Sequence, residues 1–477
     1  MSGHDIMGCV RILAGGAKRR PSRKVGRRTQ QHRYGFLTAA AALLGCVGFA
    51  AAWVLLRLIG LFTQVAFYHR LDAAYAEVHA APYAHGVYLI AILVAASVLA
   101  GLAIRYGHPA LSGHGIPEVM ESVLTNESRI PPRVALLKPI FSAIVIGLGG
   151  PFGAEGPIIQ TGGAIGSLLG QVLPTTAAER KVLIACGAAA GMTGIFGTPV
   201  AAVLLPIELI TFEFSLRTVA LPAMAAAVAF TLRSAIMDTQ PLFLIPPTHA
   251  VGPLGLLWCA IFGVLAGFEA AGITRALYWI EDQYRHIRWA GAVMRPAVGA
   301  LAVGLIALAG PEVLGVGYDL IRSVLGGQVP TVELFRILGF KGAGWLLALA
   351  SGTVGGVLAP LFMIAGATGA LIGHALQGVT GLAPGLVALV FMGAVFGGSA
   401  RIVLTAAVFA AEVTGDFQAI VPLLLATALA AIVAERLVPY NVMTGKLVRR
   451  GLRFSMDYYA PAHERVADDG DGKARRD

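Results

Sequence analysis

Charge is what this sequence has least of. Only 13% of its 477 residues are Asp, Glu, Lys or Arg, about half the share of an ordinary soluble domain. Cysteine is also scarce. Cys9, Cys46, Cys186 and Cys259 lie far apart with no C-x-x-C pair, which excludes a disulfide scaffold and gives no support to a thiolate metal or redox site. The glycine-rich motifs described below contain no Ser-His-Asp set, no H-E-x-x-H and no P-loop, so neither an enzyme nor a cofactor is expected. What fills the space is apolar: 57% of residues are hydrophobic, and the mean hydropathy is +0.75. Gly (60) and Pro (25) are abundant, which in lipid fits closely packed and broken helices.

The net charge of +10 is unevenly placed. Lys18, Arg19, Arg20, Arg23, Lys24, Arg27 and Arg28 precede the first apolar run, which starts near Phe36 with no signal-peptide pattern before it. Lys446, Arg449, Arg450 and Arg453 follow the last run. The positive-inside rule puts both termini in the cytoplasm. Anionic lipid of the inner leaflet explains these clusters more simply than nucleic acid does. An integral multi-pass protein of a bacterial inner membrane is expected.

Apolar stretches cover roughly 36–67, 86–106, 134–149, 181–212, 217–237, 251–280, 290–309, 342–378, 384–413 and 419–439. Several are too short or too interrupted for a simple span of about 20 residues. The expectation is an all-α membrane domain of tilted, broken and re-entrant helices over 36–454. A disordered basic tail (1–35) and a polar tail (455–477) flank it. No folded regulatory domain is expected after the last helix.

An internal repeat runs through the domain. Pro157 to Gly170 and Pro360 to Gly373 both read P-x5-G-A-x-G-x-L-[LI]-G, 203 residues apart. Each copy follows a Gly-Gly turn and leads to a lone membrane glutamate, Glu208 or Glu412. The repeat halves are expected at about 86–237 and 290–450. Repeated halves with broken helices point to a transporter-type fold with its site at the midplane.

Three motifs carry that site: Gly113-His114-Gly115-Ile116-Pro117, Gly153-Ala154-Glu155-Gly156-Pro157, and Gly355-Gly356-Val357-Leu358-Ala359-Pro360. Each sets Gly ahead of a Pro that opens a helix, leaving free N–H groups and a positive dipole end facing outward. Several such ends aimed at one place bind a small anion, and backbone dipoles hold it weakly enough to release it. Glu155 is the ionisable residue among them. Its carboxylate can occupy the anion's place, which makes it a candidate gate and proton acceptor.

These motifs, with Lys138 ahead of the second and Glu412-Val-Thr-Gly-Asp-Phe near the end, resemble the CLC family of chloride channels and chloride/proton exchangers over about 105–450. The resemblance implies an inverted repeat, a homodimer with one pore per subunit, and Glu155 as the external gating glutamate. It also implies an anion held by backbone N–H groups of Gly153, Ala154, Gly156, Gly356, Val357, Leu358 and Ala359. The first motif (Gly113, His114, Gly115, Ile116) would add a side-chain donor, and a Tyr near the last helix would add a hydroxyl.

Four positions depart from the family pattern. His114 stands where Ser is common; its imidazole would make transport pH-dependent, or it is a packing residue. Met443 falls where the Tyr is expected, with Tyr440 one turn earlier as the substitute. The inner proton-relay position, after Glu208, is Leu209, which carries no proton; Glu213, one turn on, could replace it. Ala154 stands where an Arg is common, leaving Lys138 as the main nearby cation. Channel-like permeation of chloride gated by Glu155, with weak or absent proton coupling, is the expected function. A coupled chloride/proton antiporter stays open, as does transport of fluoride or nitrate.

Overall fold

A computed structural model describes residues 27–237, 240–245, 251–287, 291 and 293–452. Cys9, the basic cluster 18–24, Arg453 and the C-terminal tail 455–477 lie outside the described residues. The chain divides into two compact units, residues 1–39 and 40–477. The first contributes the described start of α1, and the second carries everything else.

The described structure is helical: α1 (Arg27–Thr63), α2 (Gly86–Leu102), α3 (Ile116–Thr125), α4 (Pro132–Gly147), α5 (Glu155–Val172), α6 (Ala177–Phe196), α7 (Pro199–Pro206), α8 (Leu216–Ile236) and α9 (Pro253–His286). Then follow α10 (Met294–Ala307), α11 (Tyr318–Leu325), α12 (Thr331–Arg336), α13 (Gly342–Ala350), α14 (Leu358–Thr380), α15 (Pro384–Ala400), α16 (Val403–Thr414), α17 (Ile420–Leu437) and α18 (Gly445–Arg449). Among the described residues, six helical stretches are long and apolar enough to cross a membrane, and there are shorter apolar helices beside them. The two halves repeat one another: α3 to α8 of one answer α11 to α17 of the other.

Local sequence sets the breaks. The apolar run 181–212 becomes three pieces: α6, α7 and a wide π turn (Ile207–Thr211). Gly197 turns left-handed (φ 70°) to end α6, and Pro199 opens α7. The run 342–378 splits likewise into α13 and α14 around the Gly355-Gly356 turn. Thr176 and Ser215 start α6 and α8 with side chains that accept from the backbone three residues on. The expectation of a disordered tail through residue 35 fails for residues 27–35, which are already helical. No Pro lies between Arg27 and the apolar run, and the single Gly35 does not stop the helix propagating back from it.

Glycine content is spent on helix contact. A Cβ on Gly162 of α5 would collide with the carbonyl of Gly187 on α6, and one on Gly187 with that of Gly162. In the other half Gly369 of α14 meets the backbone of Val387 and Ala388 on α15 in the same way. The halves are also tied crosswise. The Glu412 carboxylate of α16 accepts from Val200 and Ala201 N–H at the start of α7 (3.0 and 2.8 Å). The Glu208 carboxylate, just after α7, accepts from Leu404 and Thr405 N–H at the start of α16 (3.3 and 2.8 Å).

Candidate functional site

Backbone bridges bring the three glycine motifs together. Gly113 N–H donates to Thr353 O (3.0 Å), and Gly355 N–H donates back to Gly113 O (3.4 Å). Gly153 and Gly356 exchange N–H···O bonds of 3.4 and 3.0 Å. Gly156 packs so closely on the His114 carbonyl that a Cβ there would overlap it. The starts of α3, α5 and α14 therefore meet at one buried place. Gly113, His114, Gly115, Ile116, Gly153, Ala154, Gly156, Gly356, Val357, Leu358 and Ala359 are all buried there. Several helix-start N–H groups in one buried spot form a positive field, to which the Lys138 ammonium beside Gly113 adds.

Glu155 occupies this place. It is fully buried. Its Oε2 lies 2.9 Å from where a Gly356 Cβ would stand and has no hydrogen-bond partner, and the Ala359 amide is within reach. Its Oε1 accepts a long bond from the Tyr318 hydroxyl (3.4 Å). Tyr318 is nine-tenths buried and packs against Tyr75 and Phe243 (ring centroids 5.8 and 5.7 Å). No sequence motif pointed to it. It lies in the stretch 310–341, too polar for an apolar run, whose short helices α11 and α12 the hydropathy pattern missed.

His114 is 3% exposed, and its Nδ1 has no hydrogen-bond partner. It lines a cavity of about 300 Å³ with Ser112, Tyr278, Val442, Lys446 and Arg449 among the other lining residues. Tyr278 donates its hydroxyl to Val442 O (2.9 Å) and packs on Gly445, so this cavity too has a tyrosine that sequence reasoning missed. Tyr440 stands edge-on to the Tyr278 ring (5.2 Å), and Met443 is buried beside Asn441, which accepts its N–H.

Lys138 is buried, and its ammonium donates to Leu111 O and Gly113 O (2.8 and 2.7 Å), so it braces the first motif's turn as well as lending it charge. The basic cluster expected to face lipid is largely engaged within the protein. Lys446 pairs with Glu118 (3.1 Å), Arg449 with Asp282 (2.6 Å), and Arg450 with Glu121. Buried Glu118 draws Lys446 inward against Gly113, which a hydropathy reading had no means to foresee.

Leu209 is completely buried in the π turn after α7. Glu213 lies in the connection to α8, about half-exposed, and pairs with Lys181 at 2.8 Å. Partial burial raises the Glu213 pKa, but the Lys181 hydrogen bond and charge outweigh it and hold the carboxyl below its ordinary value.

The sequence profile of the voltage gated chloride channel family matches residues 94–435. A putative chloride channel protein, ClcB-like, of Ralstonia nicotianae is 27% identical over 339 residues, covering 70% of this chain and 79% of that protein. The H(+)/Cl(-) exchange transporter ClcA of Vibrio cholerae is 29% identical over 364 residues, covering 72% and 75%. Among solved structures, a slow cyanobacterial Cl−/H+ antiporter superposes with a TM-score of 0.74 at 23% identity, covering 87% of this chain and 96% of that one. That likeness carries the fold.

Proposed function

The chain belongs to the voltage gated chloride channel family, whose members move anions across membranes, and on that premise we propose that it conducts chloride through the place where α3, α5 and α14 begin. The observation that supports this most is the set of backbone bridges joining the three glycine motifs around Glu155. Glu155 is the gate. Seated, its carboxylate takes the anion's position over the helix starts; swung away or protonated, it leaves those N–H groups to chloride. The buried, unpartnered His114 nitrogen offers one further donor from the first motif, and Lys138 holds that motif in shape. Backbone donors discriminate weakly among small monovalent anions, so bromide and nitrate pass too, and fluoride is the anion to test beside them.

Permeation is channel-like, with weak or absent proton coupling. Leu209 carries no proton, and Glu213, held ionised by Lys181, is a poor proton holder near neutral pH. One observation favours the second reading, a coupled antiporter. A relative of this chain is named an H(+)/Cl(-) exchange transporter. The protein works as a homodimer with one pore per subunit and with both termini in the cytoplasm of a bacterial inner membrane. Residues 36–454 make up its transmembrane domain.

The test uses purified protein in liposomes under a chloride gradient, with voltage clamped by valinomycin. Chloride efflux and external pH are recorded together, with Glu155→Ala as the paired variant. Chloride efflux without proton movement supports the channel-like reading. Uphill proton uptake that Glu155→Ala abolishes establishes the antiporter and discards it. Absence of chloride flux in both proteins, with fluoride flux in the wild type, reassigns the substrate.

A further inference from the structure

The loop between α1 and α2 carries Glu77 and His79, and both lie against the first turn of α11. Val78 between them turns the other way, into the core against Gly315. The Glu77 carboxylate spans the start of α11. One oxygen accepts from Tyr318 N–H (3.0 Å) and the Tyr75 hydroxyl (3.1 Å), and the other from Gly317 N–H (3.2 Å). His79 Nε2 stands 3.2 Å from Asp319 Oδ2, while its Nδ1 is buried without a hydrogen-bond partner, 3.9 Å from Glu77 Oε2. One ligand atom from each of Glu77, His79 and Asp319 falls within 4.8 Å of the others.

We propose that Glu77, His79 and Asp319 form a binding site for a zinc-class divalent cation, and that the ion acts on the gate through Tyr318. Two ligands at about 2.0–2.1 Å from a tetrahedral ion stand about 3.3 Å apart, which is the His79–Asp319 spacing within a tenth of an ångström. The third ligand, a Glu77 oxygen, lies within 4.8 Å of the other two ligand atoms. Each carboxylate is already steered. Asp319 Oδ1 accepts from Leu320 N–H (2.8 Å), leaving Oδ2 to the ion, and Tyr75 holds the far oxygen of Glu77. One imidazole with two carboxylates suits zinc better than magnesium or calcium, which favour all-oxygen shells. Side-chain exposures of 13% for His79, 14% for Glu77 and 47% for Asp319 give an entry path and room for water as the remaining ligand.

The consequence runs through two bonds. Glu77 grips the Tyr318 N–H, and the Tyr318 hydroxyl reaches Glu155. An ion that clamps Glu77 to Asp319 fixes the loop on α11, keeps Tyr318 under Glu155 and holds the gate seated. The gating step rests on the function proposed above, and the binding step does not.

Titration calorimetry of the purified protein with ZnCl2 therefore comes first. One ion per chain is expected, with binding lost in His79→Gln and weakened about tenfold or more in Asp319→Asn. Both are close in shape to the native residues, and their melting profiles report folding. Absent binding, or binding equal in wild type and both variants, overturns the site. In the liposome assay zinc is expected to slow chloride efflux several-fold in wild type. Tyr318→Phe is expected to bind zinc as before yet lose the slowing. Zinc that binds without slowing wild-type efflux overturns the link to the gate. A protein that carries no chloride at all leaves calorimetry to decide the site and counts only against the transport reading.

Discussion

The same cradle is built twice, once in each half, and the two copies are used differently. In the first half, Gly113 and Gly115 lead into α3, and Lys138 ties the carbonyls of Leu111 and Gly113. In the second, Gly315 and Gly317 lead into α11, and Lys341 ties those of Val313 and Gly315 (3.2 and 2.6 Å). Gly115 and Gly317 both sit at positive φ (91° and 77°), and both lysines are fully buried. Lys138 and Lys341 are 203 residues apart, the same offset as the proline-led repeat. The first cradle carries His114, whose Nδ1 has no hydrogen-bond partner, on its cavity wall. The second is closed by a carboxylate, Glu77, from a loop outside the repeat. Duplication supplied two helix starts able to hold an anion. One glutamate, Glu77, covers the second start and has no counterpart described at the first.

Five changes break or sharpen that comparison. The largest effect is expected from Gly156→Ala, whose Cβ has nowhere to go beside the His114 carbonyl. Chloride efflux should vanish, and little folded protein should be recovered by gel filtration. Next come Lys138→Met and Lys341→Met. Each strands two buried carbonyls at about 1–3 kcal/mol apiece, so melting temperatures should fall by similar amounts. Anion affinity should change in Lys138→Met only; equal changes in affinity would erase the distinction between the cradles. Glu77→Gln keeps the shape but turns charge-assisted bonds into neutral ones, a loss of about 1 kcal/mol seen as a modest melting shift and faster hydrogen exchange at Tyr318. The smallest is Tyr318→Phe, which removes one long bond from Glu155. The seated gate should weaken by about 0.5–1.5 kcal/mol, raising efflux by up to about tenfold.

His114→Ser tests the first cradle alone. If the imidazole is a donor to the anion, the pH response of efflux and the chloride/nitrate ratio should both change. An unchanged response would make it a packing residue.

Legibility followed chemistry that repeats along the chain. The Gly–Pro helix starts, Glu155 among them, and the 203-residue repeat could be read because each needs particular residue types at fixed spacing. The repeated element itself announced α5 and α14. The second cradle escaped notice because Gly315-Val-Gly317-Tyr318-Asp319 lacks the proline that flags Gly113-His114-Gly115-Ile116-Pro117, and α11 is only eight residues long. Tyr318 and Tyr278 could not be anticipated as site neighbours, since the loops and helices that bring them in lie far away in sequence. The inward turn of Lys446 depended on Glu118, more than three hundred residues earlier.

Glu208 and Glu412 each close the opposite half's helix end, with four backbone bonds between them. Bonds to a carboxylate of this kind are worth about 1.5–3 kcal/mol each, and rotating one half against the other would break them together. The scaffold is thus cross-braced: any rocking of one half against the other about the site has to break all four bonds at once.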